Sequence, residues 1–423
     1  MNVLILGGGG REHTFCWKLS QSPLCNQMYV APGNAGTASI AQNLAIDPMD
    51  FEAVKAWVKR ANIELVVVGP EAPLVAGIHD YFKESSDMNH VTVIGPEKAA
   101  AQLEGSKEFA KKFMQRHNIP TAQYASFTAK TLSEGKAFLE KMQPPYVLKA
   151  DGLAAGKGVL ILDNLSHAQA ELESMLLEEK FGSASNKVVI EEFLSGIELS
   201  AFVLTDGESA LTLPMAKDYK RIGEGDKGLN TGGMGAISPV PFVTPEFEKK
   251  INERIIKPTI TGLKKDGIPY QGFVFIGLIK VGDDPFVIEY NVRMGDPETE
   301  VVLPRVENDL MDLFLAVKSK NLHQKTIKEA QETACTVMAV SGGYPEAYEK
   351  GKIIQGLNKK SEAIVFHAGT QLKEKDILTN GGRVLSVTGR GNNMNDALKQ
   401  SYQRLAEIDF EGMYFRQDIG FDL

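Results

Sequence analysis

Met1-Asn2-Val3-Leu4-Ile5-Leu6-Gly7-Gly8-Gly9-Gly10-Arg11-Glu12-His13 opens the chain with an apolar run, four glycines and the charged start of a helix. The same order recurs up to about residue 105. Apolar, β-branched runs at 28–30, 65–68 and 91–94 lead into APGNAG, Gly69-Pro70-Glu71 and Gly95-Pro96-Glu97. Short apolar strands separated by amphipathic stretches form βαβ units and a parallel sheet. Its glycine-rich turns gather at the carboxyl ends of the strands, where helix N-termini offer free N–H groups to anions. The repeated GPE tripeptide reads as one turn solution used twice.

Beyond this block the texture changes. Residues 106–119 carry a helical pattern that Pro120 ends. Strands are predicted at 146–150 and 159–162 around a Gly-rich loop, then a helix at 166–180 and strands at 188–190 and 199–204. That order describes a small α+β lobe. A third block, about 211–322, is expected to hold long polar loops, with its best strands at 273–279 and 285–290. The last block has strands at 336–340, 364–367 and 384–388 and a helix at 395–405, with little clustered chemistry. It reads as a closing domain.

The 423 residues are 43% hydrophobic and 24% charged, the balance of a globular chain of ~3 domains. Forty-six Lys and Arg stand against 54 Asp and Glu, a net charge of -8. So acidic a surface disfavours nucleic acid and anionic membranes as partners. The longest apolar stretch, 270–279, is about half a bilayer span. Three cysteines (Cys16, Cys25, Cys335) form no metal or CxxC pattern, and the first residues read as strand rather than secretory signal. A cytoplasmic protein is expected.

The first glycine loop has the context of a dinucleotide fingerprint, but Glu12 stands where a third small residue is needed and no ribose-binding acid follows the second strand. A bare phosphate on backbone N–H groups, with Arg11 adding charge, fits better; a purely structural turn fits too. In the second loop, Lys149-Ala150-Asp151-Gly152-Leu153-Ala154-Ala155-Gly156-Lys157-Gly158, the spacing is one residue short of a P-loop and Gly158 replaces its hydroxyl. Small residues between two lysines suit a flap closing on phosphates, or a mobile hairpin. Glu191-Glu192-Phe193-Leu194-Ser195-Gly196-Ile197-Glu198 is a strand running into an acidic hinge, able to offer backbone to a purine and a carboxylate to a ribose.

The densest chemistry is Glu289-Tyr290-Asn291-Val292-Arg293-Met294-Gly295-Asp296-Pro297-Glu298. Period two puts Glu289, Asn291 and Arg293 on one strand face. Two oxygen ligands and a guanidinium in line suit a divalent cation on a phosphate. Asp218-Tyr219-Lys220-Arg221 and Asn230-Thr231-Gly232-Gly233-Met234-Gly235 read as a substrate loop. No nucleophile elbow or zinc-protease motif occurs. His13 is the one histidine near a candidate site, and packing is its better explanation.

In this order, GGGGREH, LEGSK (103–107), LKADGLAAGKGV, EEFLSGIE, NTGGMG, EYN and RMGDPETE resemble the phosphoribosylamine–glycine ligase family of the ATP-grasp superfamily. The likeness spans most of the chain. It implies an α/β and α+β multidomain fold: a Rossmann-like, biotin-carboxylase-like N-terminal domain (1–104), a two-lobed ATP-grasp unit (105–328, small lobe about 121–191) and a small mixed C-terminal domain (329–423). It implies ATP-dependent joining of glycine to 5-phosphoribosylamine through glycyl phosphate in purine biosynthesis, with Mg²⁺ or Mn²⁺. Carried over by position, Lys107, Lys149, Gly152, Gly156, Lys157 and Gly158 take ATP phosphates or the adenine edge. Glu191, Glu192, Phe193 and Leu194 line the adenine, and Glu198 the ribose. Glu289 and Asn291 hold metal, and Arg293 faces the transferring phosphoryl group. Gly9, Gly10, Arg11 and Asn34 meet the phosphate of the amine. Asp218, Asn230, Thr231, Gly232, Gly295 and Asp296 lie near glycine and the amine. Transient contact with neighbouring purine-pathway enzymes is compatible with this. Two departures stand out: residues 272–279 (GFVFIGLI) supply no second metal carboxylate, so metal affinity without ATP should be weak, and Leu229 replaces a usual proline before Asn230. Alternatives are another ATP-grasp ligase, a nucleotide-binding regulator without turnover, and an oxidoreductase.

Overall fold

The four runs of the opening pattern, joined by a fifth, two-residue strand, form one sheet in the computed structural model, which describes residues 1–153, 158–178 and 180–423. In order β3-β2-β1-β4-β5, it comprises β1 (Asn2–Gly7), β2 (Gln27–Pro32), β3 (Gln42–Asn43), β4 (Leu65–Val68) and β5 (Thr92–Ile94). All its pairings are parallel. Val3, Leu4, Ile5 and Leu6 have no solvent exposure, because helices cover both faces of a parallel sheet.

The helical stretch predicted before Pro120 is the helix Lys107–Arg116, capped by the Ser106 side chain, and a separate helix, Lys98–Gly105, precedes it. A four-stranded antiparallel sheet follows, ordered β6-β9-β7-β8: β6 (Tyr124–Phe127), β7 (Tyr146–Ala150), β8 (Val159–Leu162) and β9 (Val188–Glu192). Leu139, Leu148, Leu172, Met175 and Ile190 form the core beneath it.

The expected long loops of the third block are largely ordered. β10 (Ile197–Thr205) and β11 (Ala210–Asp218) form a hairpin, β12 (Arg221–Gly223) pairs with β13 (Lys227–Asn230), and β14 (Gly235–Ser238) returns beside β11. Pro214 hides β11 from sequence reading, since a proline cannot donate to a ladder. The pairing slips here, from Phe202↔Leu213 to Ser200↔Ala216, so a bulge absorbs it. β15 (Gly272–Val281) and β16 (Asp284–Asn291) complete this side.

The C-terminal segment does more than close the molecule. β17 (Thr333–Val340), β18 (Ile364–His367) and β21 (Arg383–Gly391) continue the same sheet, ordered β16-β15-β10-β11-β14-β17-β21-β18; β19 (Thr370–Lys373) and β20 (Asp376–Thr379) pair separately. The final helix, Met394–Leu405, packs on it through Ala397 and Leu405.

Candidate active site

Alternate residues of β7 and β9 enter the small-lobe core, and those between turn to the opposite face. Val147 pairs with Glu191 and Lys149 with Val189, so Lys149 and Glu191 are diagonal neighbours on that face. Lys149 Nζ lies 3.0 Å from Glu191 Oε2 and 3.5 Å from the carbonyl of Ile288 on β16. Lys111 reaches the same Glu191 oxygen at 3.0 Å. Burial pushes the Glu191 carboxyl up, but Lys149 and Lys111 outweigh it and hold it below the usual range. Burial also drives the Lys111 ammonium down to about 8, against the pull of Glu191. Phe193 is 41% exposed at the mouth of this face. Glu192 accepts from the Gln123 N–H at 2.9 Å, and Glu198 faces Lys220 at 2.5 Å.

Of the flap, Gly156 and Lys157 lie outside the described residues. Its root is fastened to the helix Lys107–Arg116. Asp151 accepts from Ser106 Oγ at 3.1 Å and from the Glu108 N–H at 2.7 Å, while Lys107 Nζ donates to the Gly152 carbonyl at 3.2 Å. The Ala150 N–H donates to the Gly158 carbonyl at 2.8 Å, closing the loop's neck. Burial lowers the Lys107 ammonium, with Glu289 opposing most strongly.

Glu289 and Asn291 sit at the end of β16. Gly277 faces Glu289, and a Cβ there would stand 3.1 Å from Glu289 Cγ. Arg293 lies just past the strand rather than on it, and its fork keeps Asn291, the neighbour period two offers, while adding two acids from helices far back in the chain. Nη2 lies 2.8 Å from Glu104 Oε1 and 3.1 Å from Asn291 Oδ1, and Nε lies 3.4 Å from Glu71 Oε2. The other Glu104 oxygen accepts from the Val292 N–H at 2.8 Å. Asn291 Nδ2 is buried without a partner. Among the described residues no group of three or more His, Cys, Asp and Glu side chains could hold a metal unaided. One carboxylate and one amide oxygen nevertheless fit a hard cation that keeps water and phosphate in its other positions.

Acids dominate the neighbouring face. Asp218 ends β11, where burial raises its carboxyl against the pull of Lys220. Glu298, 3% exposed, accepts from Ser200 Oγ at 3.3 Å and is pushed up to about 7 by burial and then by Asp218. Lys220 is held well above its ordinary range: burial opposes this, but Asp218, Glu198 and Glu289 prevail. Thr231 is folded back on Lys220, donating from Oγ1 to its carbonyl at 2.8 Å, and Asn230 is exposed. The Gly232 N–H donates to Tyr344 Oη at 3.0 Å, and its carbonyl accepts from Arg383. Arg383 also lies 2.8 Å from Asp296 Oδ1. The C-terminal segment thereby pins the loop at Gly232.

The first glycine loop is a junction. The Gly9 N–H donates to Glu12 Oε2 at 2.6 Å and the Arg11 N–H to Asp296 Oδ2 at 3.2 Å. A side chain on Gly10 would strike Glu300, and one on Gly295 would strike Glu298. Arg11 is buried; Nε lies 2.6 Å from Glu12 Oε1 and Nη1 donates to the Met294 carbonyl at 3.1 Å. Asn34 Nδ2 is spent on the carbonyls of Gly8, Gly9 and His367. His13 Nδ1 accepts the His367 N–H at 2.7 Å, a packing role.

Sequence reasoning quoted Lys220 and Glu298 within its candidate segments but did not single out Glu71, Glu104, Lys111 or Arg383, which the fold brings beside them. GPE and LEGSK carried Glu71 and Glu104 in plain sight; nothing local marked Lys111 or Arg383.

Comparisons with known proteins agree along the chain. Residues 1–104 match the phosphoribosylglycinamide synthetase N domain, 105–299 its ATP-grasp (A) domain and 334–422 its C domain. A relative named phosphoribosylamine–glycine ligase, from Vibrio parahaemolyticus, is 46% identical over 100% of this chain and 98% of its own. The crystal structure of a Thermotoga maritima protein of that name superposes with a TM-score of 0.86 at 36% identity, covering 99% of this chain and 100% of that one. A biotin carboxylase from Campylobacter jejuni shares the fold, with a TM-score of 0.73 at 14% identity over 97% and 92% of the two chains.

Proposed function

We infer the reaction from kinship and geometry together: the chain belongs to the phosphoribosylglycinamide synthetase family, and it joins glycine to 5-phosphoribosylamine. ATP is consumed, and N1-(5-phosphoribosyl)glycinamide, ADP and phosphate are released, a step of purine biosynthesis. The observation that carries this reading is the convergence of Lys107, Lys149, Glu289, Asn291 and Arg293 beside the acids Asp218 and Glu298.

A carboxylate is a poor acyl donor. A glycine carboxylate oxygen attacks the γ-phosphorus and ADP departs, giving glycyl phosphate. The amine nitrogen then attacks the carbonyl, phosphate leaves and the nitrogen loses a proton. The protein contributes position and charge. Lys107 and Lys149 receive the phosphates, Glu191 to Leu194 line the adenine, and Glu198 takes the ribose. Arg293, held by Glu104 and Glu71, neutralises charge on the transferring group. Glu289 and Asn291 would hold Mg²⁺ or Mn²⁺, which when bound offsets phosphate charge. Asp218 receives the glycine ammonium beside Asn230, Thr231 and Gly232. The segment 151–158 shields the acyl phosphate from water. An approach of the amine's phosphate to Gly9, Gly10 and Arg11 would have to displace contacts already made, because Glu12 holds the Gly9 N–H and the Arg11 guanidinium, Asp296 holds the Arg11 N–H, and the Asn34 amide is engaged. Three free cysteines fit a cytoplasmic setting.

Phosphate release from ATP tests the reading when measured with glycine alone, the amine alone, and both. Release requiring both supports it; release without the amine, or none with either, sinks it. Chelating divalent cations should abolish release.

A further inference from the structure

One buried cation has no part in the reaction as described. Lys111 follows Lys107 by one helical turn and so shares its face of the helix. It is 2% exposed. Its ammonium donates to Thr121 Oγ1 at 2.8 Å and lies 3.0 Å from Glu191 Oε2. Lys149 takes that same oxygen at 3.0 Å. The other carboxylate oxygen, Glu191 Oε1, is buried with no hydrogen-bond partner. Two cations therefore lock one oxygen and leave its twin as a lone buried acceptor. An acceptor held this way is costly until a donor arrives.

We propose that Lys111 is a positioning residue for nucleotide selection: by fixing Glu191 it keeps Oε1 set to accept the exocyclic amine of a 6-aminopurine. A 6-oxopurine would bring a carbonyl oxygen against that carboxylate oxygen, acceptor against acceptor. Sites built to hydrogen-bond one substituent reject the analogue lacking it. Lysine supplies a second buried counter-charge on the same carboxylate oxygen that Lys149 holds. Without it the side chain is free to swing, and both ATP affinity and base choice weaken together. This rests on the reading that Glu191 lines the adenine.

The test uses the full chain and compares ATP with ITP in the glycine- and amine-dependent release of phosphate. Wild type, Lys111→Met, Glu191→Gln and the double variant are measured. Lys111→Met should raise KM for ATP ~10-fold or more while kcat changes far less, and should collapse the ATP-to-ITP ratio of kcat/KM towards that of Glu191→Gln. In the double variant Lys111→Met should add nothing further to that ratio. An unchanged ratio in Lys111→Met, or independent multiplication in the double variant, overturns the proposal. Should Lys111→Met fail to fold, Lys111→Arg is read instead: a retained ratio supports the role of the charge, and a lost one overturns it. If wild type releases no phosphate with both co-substrates, the functional reading falls and this inference with it. An active wild type whose preference ignores Lys111 sinks the inference alone.

Discussion

Gly69-Pro70-Glu71 and Gly95-Pro96-Glu97 are the same three residues after neighbouring strands of one sheet, yet they end in different chemistry. Each starts a helix. Glu71 lies 3.4 Å from Arg293, and although burial raises its carboxyl, Arg293 and Arg11 together hold it below the usual range. Glu97 pairs at 2.7 Å with Lys83, whose side chain is 60% exposed. The tripeptide dictates a turn and a helix start. Whether its acid does anything more depends on what the rest of the chain brings opposite: a buried Arg11 and a half-buried Arg293 in one case, a solvated lysine in the other.

The sharpest way to break this contrast is to remove what Glu71 faces. Arg293→Ala should lower kcat by ~10²–10³, the usual cost of losing a charge-stabilising group. It should also lower the melting temperature, because Glu104 loses its cation while buried. An unchanged kcat would mean that Glu71 and Glu104 merely hold a structural arginine. Glu71→Gln should reduce kcat/KM by about tenfold, since it loosens Arg293 without removing it. Arg383→Lys keeps the charge but loses the fork that spans Gly232 and Asp296. It should raise KM for glycine and the amine ~3- to 10-fold, with KM for ATP little changed.

A second place where distant segments decide a residue's fate is the His13–His367 contact. Burial lowers His13 to about 3, with His367 adding to the effect, and burial lowers His367 to about 4. Both stay neutral when folded but protonate below about 6.5 once unfolded, so their contribution to stability is complete above that value and is lost as pH falls from 6.5 towards 4. His13→Gln should remove about one proton from this dependence, visible as a shallower fall in melting temperature between pH 6.5 and 4.5. The smallest effect belongs to the second tripeptide: Glu97→Gln should change activity less than about twofold and stability by under ~1 kcal/mol.

How much of this was legible in the sequence follows from the same contrast. Periodic runs such as 65–68 and 146–150 announced their strands, because pattern and burial are local. The place of Glu289 and Asn291 at the end of a strand was legible for the same reason. The partners of Arg293 were not, for Glu104 and Glu71 arrive from helices far back in the chain. Lys111 looks like any solvated lysine until the helix is docked against Glu191 and Thr121. Asn34, which looked available for a phosphate, is used up by three carbonyls that only the folded chain assembles. Pro214 concealed β11 because its bulge is paid for by pairing on both sides of the slip.

The short strand β14 carries a practical consequence. It hydrogen-bonds to β11 on one side and β17 on the other, so the chain has no clean seam between its middle and its tail. Cutting away residues beyond about 330 would strip one whole edge from β14 and remove the Tyr344 and Arg383 contacts to Gly232. Such a fragment would expose a ready template for intermolecular strand addition, and self-association rather than a minimal catalyst is the outcome to expect of it.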